Sequence, residues 1–139
     1  MTATAGYFST PLAKKLGIKE GFVVGLINEP KNYFELFTDW PQNVIVSKEN
    51  SERKDLIHFF ITGAKELFAQ LPLLKDELRP NGMLWVSWPK KAAKVPTDAT
   101  EDLIRDCALR NGLVDIKVCA VDEVWSGLKL VIPVKERRQ

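Results

Sequence analysis

Continuous apolar runs of strand length alternate along this chain with stretches of helical periodicity. Phe22-Val23-Val24-Gly25-Leu26-Ile27 is apolar on both faces, the pattern of a strand buried in a parallel sheet. Leu56 to Ile61 and Met83 to Trp88 repeat it, and Val44-Ile45-Val46 reads as a brief strand between them. From Ala64 to Leu78, apolar residues at 64, 67, 68, 71, 74 and 78 follow helical spacing. Pro72 lies inside that stretch and predicts a kink, or two short helices joined at Leu71. Ser9-Thr10-Pro11 reads as a helix cap followed by a first-turn proline, opening a short basic helix that stops at Gly17. Tyr33 to Phe37 predicts a further short helix. Pro80-Asn81-Gly82 predicts a turn, and residues 89–97 a basic loop. Thr97 to Asp102 supply capping residues and first-turn acids for a helix running to about Arg110, with Asn111-Gly112 as its stop. Val114 to Val121 and Leu128 to Val134 close the chain as two strands joined by residues 122–127, and residues 1–8 read as a flexible lead.

This order predicts one α/β domain spanning residues 1–139. Its sheet is mostly parallel and Rossmann-like, with flanking helices, right-handed crossovers and an antiparallel strand pair at the C-terminus. The segment Leu78-Arg79-Pro80-Asn81-Gly82-Met83-Leu84 resembles the Leu-x-Pro-Gly-Gly-x-Leu stretch of Rossmann-like methyltransferases, where it feeds the corresponding strand. A second resemblance covers nearly the whole chain. It rests on Thr10-Pro11-Leu12-Ala13-Lys14-Lys15-Leu16-Gly17-Ile18, Trp88-Pro89-Lys90-Lys91, Pro96-Thr97-Asp98, Thr100-Glu101 and the run Gly112 to Lys129. These strings look like the hallmarks of a family of small bacterial proteins classed as a domain of unknown function. That resemblance implies no established activity, cofactor or partner, and it carries over no functional residue.

Composition narrows the picture. At 45% hydrophobic and 27% charged residues the chain lies far from the signature of disorder, so a full apolar core is expected. Twenty Lys plus Arg against eighteen Asp plus Glu leave a formal charge of +2, too small to point to nucleic acid or an acidic membrane. The basic residues cluster as Lys14, Lys15 and Lys19, as Lys90, Lys91 and Lys94, and as Lys135, Arg137 and Arg138; the last group reads as a solvated end. Cys107 and Cys119 have no paired spacing and no neighbouring histidine, which excludes a zinc motif and a disulfide framework and leaves two reduced thiols. With no signal-peptide pattern and no long apolar run, the expected location is the cytoplasm.

Candidate chemistry gathers where the strands end. Nucleotide and S-adenosylmethionine sites use a glycine-rich turn after the first strand and a carboxylate about 20 residues later. Glu49, 21 positions after Asn28, has the spacing of that carboxylate. The turn Asn28-Glu29-Pro30-Lys31-Asn32-Tyr33 contains no glycine, and Pro30 removes a donor, so S-adenosylmethionine is disfavoured as a cofactor. Lys90, Lys91 and Lys94 lie before a helix start and suit a small anion, although Asp98, Glu101 and Asp102 compete for the same helix end. The loop Asp122 to Gly127 offers carboxylates, and Trp125 and Trp88 offer aromatic walls. His58, the sole histidine, sits mid-strand among apolar residues and reads as a ring satisfied within the fold.

The expectation is a binding or regulatory module without catalysis. It would hold a small anionic ligand or a protein partner along the edge formed by residues 28–31, 62–63, 87–94 and 122–126. The alternative is a methyltransferase or nucleotide-binding enzyme with an atypical cofactor loop, in which Glu49 holds the ribose. A homodimer closing over Phe34, Phe37 and Trp40 is a third reading.

Overall fold

The computed structural model describes residues 10–137. The flexible lead expected over 1–8 and the cap expected at Ser9 lie outside those residues. Six strands form one sheet in the order β2-β1-β3-β4-β6-β5. They are β1 (Val23–Ile27), β2 (Ile45–Val46), β3 (Lys54–Phe60), β4 (Leu78–Pro89), β5 (Val114–Ala120) and β6 (Trp125–Val131). β2, β1, β3 and β4 are mutually parallel, while β6 runs antiparallel to β4 and to β5. The helices are α1 (Leu12–Leu16), α2 (Ala64–Asp76) and α3 (Glu101–Arg110), with short 3-10 turns at Tyr33–Leu36, Lys91–Ala93 and Val134–Glu136. The mixed sheet with flanking helices is a Rossmann-like α/β architecture, and its antiparallel pair lies in the C-terminal part of the chain as the alternation of elements predicts.

Each face of the sheet has its own core. On one, Leu67, Leu71 and Leu74 of α2 and Ile104 and Ala108 of α3 pack on Ile57, Phe59, Leu84, Val86, Leu128 and Leu130. On the other, Leu12 and Leu16 of α1 join Tyr33, Phe60 and Trp85. The indole of Trp85 donates to the Leu16 carbonyl at 2.8 Å and so ties the end of α1 to the middle of the sheet. α1 owes its start to a residue far along the chain: the Asp39 carboxylate accepts from Ala13 N at 3.0 Å and from Lys14 N at 3.1 Å. Gly17 closes it in the left-handed conformation, φ 86°.

Several boundaries differ from the sequence expectation. α2 is one helix of 13 residues, not two. Pro72 leaves the Phe68 carbonyl without its helical donor, but Phe68 is 52% exposed and water can take that place. The expected turn at residues 80–82 is part of β4, whose pairing jumps from Lys54↔Leu78 to Leu56↔Met83. Gly82 permits the jump, since a Cβ there would lie 3.0 Å from the Lys54 carbonyl and 3.1 Å from that of Asp55. β6 begins at Trp125 rather than Leu128, so the connection from β5 is a tight hairpin, and the strand ends at Val131 rather than Val134, which opens the 3-10 turn Val134–Glu136. The third helix starts at Glu101, capped by the Thr100 hydroxyl, which accepts from Leu103 N at 3.1 Å.

Candidate functional site

In an open α/β sheet the ligand crevice lies beyond the carboxyl ends of the strands, where the chain changes its direction of travel across the sheet. That point here falls between β1 and β3, because the chain steps from β1 to β2 on one side and returns to β3 on the other. A cavity of about 190 Å3 opens there, lined by Asn28, Phe60, Ile61, Thr62, Glu66 and Trp125. Two of the sequence-derived candidates, Asn28 and Trp125, therefore meet in one place.

Asn28 directly follows β1 with φ 59°, a left-handed conformation that asparagine tolerates better than most residues. Its amide donates to the Phe60 carbonyl and to Glu66 Oε2, both at 3.3 Å. Glu66 in turn accepts from the backbone N–H groups of Thr62 at 2.8 Å and Gly63 at 3.3 Å, closing the start of α2. The carboxylate thus occupies the helix end where an external anion would otherwise sit. Trp125 stands edge-on to Phe60, ring centroids 5.0 Å apart, and the Asp122 carboxylate positions it by accepting from Val124 N and Trp125 N at 2.8 Å each. The role of Asp122 in this arrangement is to shape the turn that presents the indole.

The remaining candidates spread out. Glu29 pairs with Lys48 at 3.1 Å, and the same ammonium donates to the Leu26 carbonyl at 3.2 Å, across the end of β1. Glu49 is exposed, and its backbone carbonyl accepts from Lys54 Nζ at 2.6 Å. Trp88 is packed into the core beneath α2 and α3. Lys90 donates its backbone N–H to the Val124 carbonyl at 2.7 Å, while Lys91 is exposed in the following 3-10 turn. Asp98 caps α2 through Ala64 N at 2.7 Å, leaving the start of α3 to Thr100.

Beneath the cavity lies a polar chain only partly foreseen. His58 is fully buried; Tyr33 Oη contacts its Nδ1 at 3.0 Å, and Ser87 Oγ its Nε2 at 2.7 Å. Burial pushes the imidazole down to about 3, so it is neutral, and the same desolvation raises the Tyr33 phenol well above its ordinary value. The ring stacks on Phe60 at 4.2 Å and so supports one wall of the cavity. Thr62 lies on the edge expected at residues 62–63, whereas Phe60, Glu66 and Lys48 escaped the sequence reading. The signal for Glu66 was its place three residues after a glycine helix start, the spacing of a capping carboxylate. Both cysteines are free thiols held above their ordinary pKa by burial, and no metal-binding cluster occurs among the described residues.

The architecture and the crevice define a protein with the fold of S-adenosylmethionine-dependent methyltransferases. Similar solved structures include precorrin-6y C5,15-methyltransferase from Geobacter metallireducens GS-15, with TM-score 0.58, 8% identity and coverage of 87% of this chain and 85% of that one. A SAM-dependent methyltransferase from Aquifex aeolicus has TM-score 0.55 and 15% identity, covering 86% of this chain and 87% of its own. Magnesium protoporphyrin IX methyltransferase from Synechocystis PCC 6803, solved with bound SAM, has TM-score 0.55 and 10% identity, covering 94% and 77% respectively. No family model and no curated protein sequence matches the chain, so the resemblance to the bacterial family of unknown function rests on its motifs alone. The lean away from an enzyme is corrected by this comparison, since these solved structures that share the fold are methyltransferases. Asn28 takes the left-handed backbone that a glycine often supplies, while its side chain stays in the turn and bonds to Phe60 and Glu66. No helix among the described residues is long and apolar enough to cross a membrane.

Proposed function

We propose that the chain is a methyltransferase-class enzyme that holds S-adenosylmethionine at the carboxyl ends of β1 and β3. The coincidence of a cavity with the sheet's switch point carries this reading. The donor set suits such a ligand. Phe60 and Trp125 offer faces and edges to a planar base or an apolar chain, and the Asn28 amide and Glu66 carboxylate offer partners for hydroxyl or ammonium groups. A cavity of about 190 Å3 takes one moiety of the molecule, since ligand sites usually span about 300–1,000 Å3. The rest would lie over the exposed Lys48 side chain and its Glu29 partner, which must swing aside. Bound there, the sulfonium would supply the methyl group; this chain's part is to orient the ligand and exclude water from it.

Calorimetric titration with S-adenosylhomocysteine tests the reading. Saturable binding that Trp125→Ala weakens is expected, with the folded state of the variant checked by circular dichroism. Absence of heat at millimolar ligand defeats it.

A further inference from the structure

The opposite end of the sheet carries a larger basin, of about 730 Å3, where β3 and β4 begin and β6 ends. Arg53, Lys75, Lys135 and Arg137 face it together with the carboxylates of Asp76 and Glu136. Among the described residues, none of these four cations lies within ion-pair distance of an acid. Three are held in place by main-chain carbonyls instead. Arg53 Nη1 donates to Leu78 O at 3.2 Å, Lys75 Nζ to Asn111 O at 2.8 Å, and Arg137 Nε to Ile132 O at 2.9 Å. Gly112 leaves the space Lys75 needs, since a Cβ there would lie 2.6 Å from its Nζ. Each guanidinium spends one of its five donors on this anchoring and keeps the others. Anchored cations without an ion-pair partner differ from a solvated tail, because much of the cost of ordering them on a ligand is already met.

We propose that this basin binds a phosphate-bearing small molecule. Arg53 and Arg137 supply planar forks that match phosphate oxygens, and Lys135 adds a point charge. Leu78, Pro80 and Ile132 give an apolar floor for the ligand's uncharged part. Asp76 and the carboxyl end of α2 limit the positive surplus, which favours one phosphate group over a long polyanion.

Titrating the full chain with inorganic phosphate and with adenosine monophosphate, followed by NMR, tests the site. Saturable shifts with both are expected, tighter for the nucleotide because it also covers the floor. Arg53→Gln and Arg137→Gln should each weaken binding about tenfold. Lys135→Gln should weaken it as well. Lys135 makes no side-chain hydrogen bond among the described residues, so that variant keeps the fold and separates ligand contact from stability. Failure of both probes to saturate, binding unchanged in all three variants, or binding of a single-stranded oligonucleotide alone would each overturn the proposal. S-adenosylhomocysteine carries no phosphate, and its titration should be indifferent to Arg137→Gln, so this site and the crevice stand or fall separately.

Discussion

Tyr33 Oη and His58 Nδ1 stand 3.0 Å apart inside the protein, with neither side chain reached by solvent. The second ring nitrogen is taken by Ser87, so the neutral imidazole has both nitrogens satisfied. Tyr33→Phe would keep the aromatic packing and leave Nδ1 buried without a partner. The expected loss is about 1–3 kcal/mol in urea unfolding. An unchanged midpoint and slope would show that the hydroxyl contributes nothing.

The same burial makes stability depend on pH. The unfolded chain protonates His58 near its ordinary 6.5, whereas the folded ring resists until about 3. Between those values the unfolded state binds more protons, so stability is fully present above about pH 6.5 and declines as the pH falls. The slope attributable to one such group is at most about 1.4 kcal/mol per pH unit. Urea midpoints at pH 7, 6 and 5 check this, with His58→Gln expected to flatten the difference; a wild-type midpoint constant over that range contradicts it.

Lys48 holds the Leu26 carbonyl and Glu29 across the mouth of the crevice. Its side chain is 64% exposed, and an ion pair so exposed is worth no more than about 1 kcal/mol. Removing the obstruction with Lys48→Ala should therefore tighten S-adenosylhomocysteine binding by at most about fivefold. Calorimetry reads it directly, and weaker binding would mean that the ammonium contacts the ligand.

Asp39 secures α1 through two backbone amides. Asp39→Ala should cost about 1 kcal/mol. Because the Leu16 carbonyl holds the Trp85 indole, the loosening of α1 should also be visible in tryptophan fluorescence below the main unfolding transition. A coincident transition at the wild-type midpoint would count against this coupling.

The strands were legible because Val23–Ile27, Leu56–Phe60 and Leu84–Trp88 are apolar on both faces, which in a chain of this size means a covered parallel sheet. Asn28 and Trp125 were legible as crevice residues because topology alone brings strand ends together. Less visible were the partners that depend on distance in the chain. Nothing local announces that Asp39 caps a helix 26 residues earlier, or that Ser87 reaches His58 across 29. The turn at 80–82 was misread because Pro and Gly usually punctuate, while here Gly82 is kept small by the carbonyls of the facing strand. The tail lysine and arginine looked idle because the carbonyls that fix Arg137, and the distant Arg53 and Lys75, are brought beside them by the fold.

The brevity of β2 reaches beyond topology. It pairs only with Val23 and Val24, so the outer rim of β1 from Gly25 onward has no strand beside it, and the Lys48 ammonium rests on the one carbonyl there that would invite another chain. A charge at that spot repels a docking strand as effectively as it screens the crevice. Loss of the lysine would therefore set a penalty against any gain in binding, a tendency to self-associate edge to edge at high concentration.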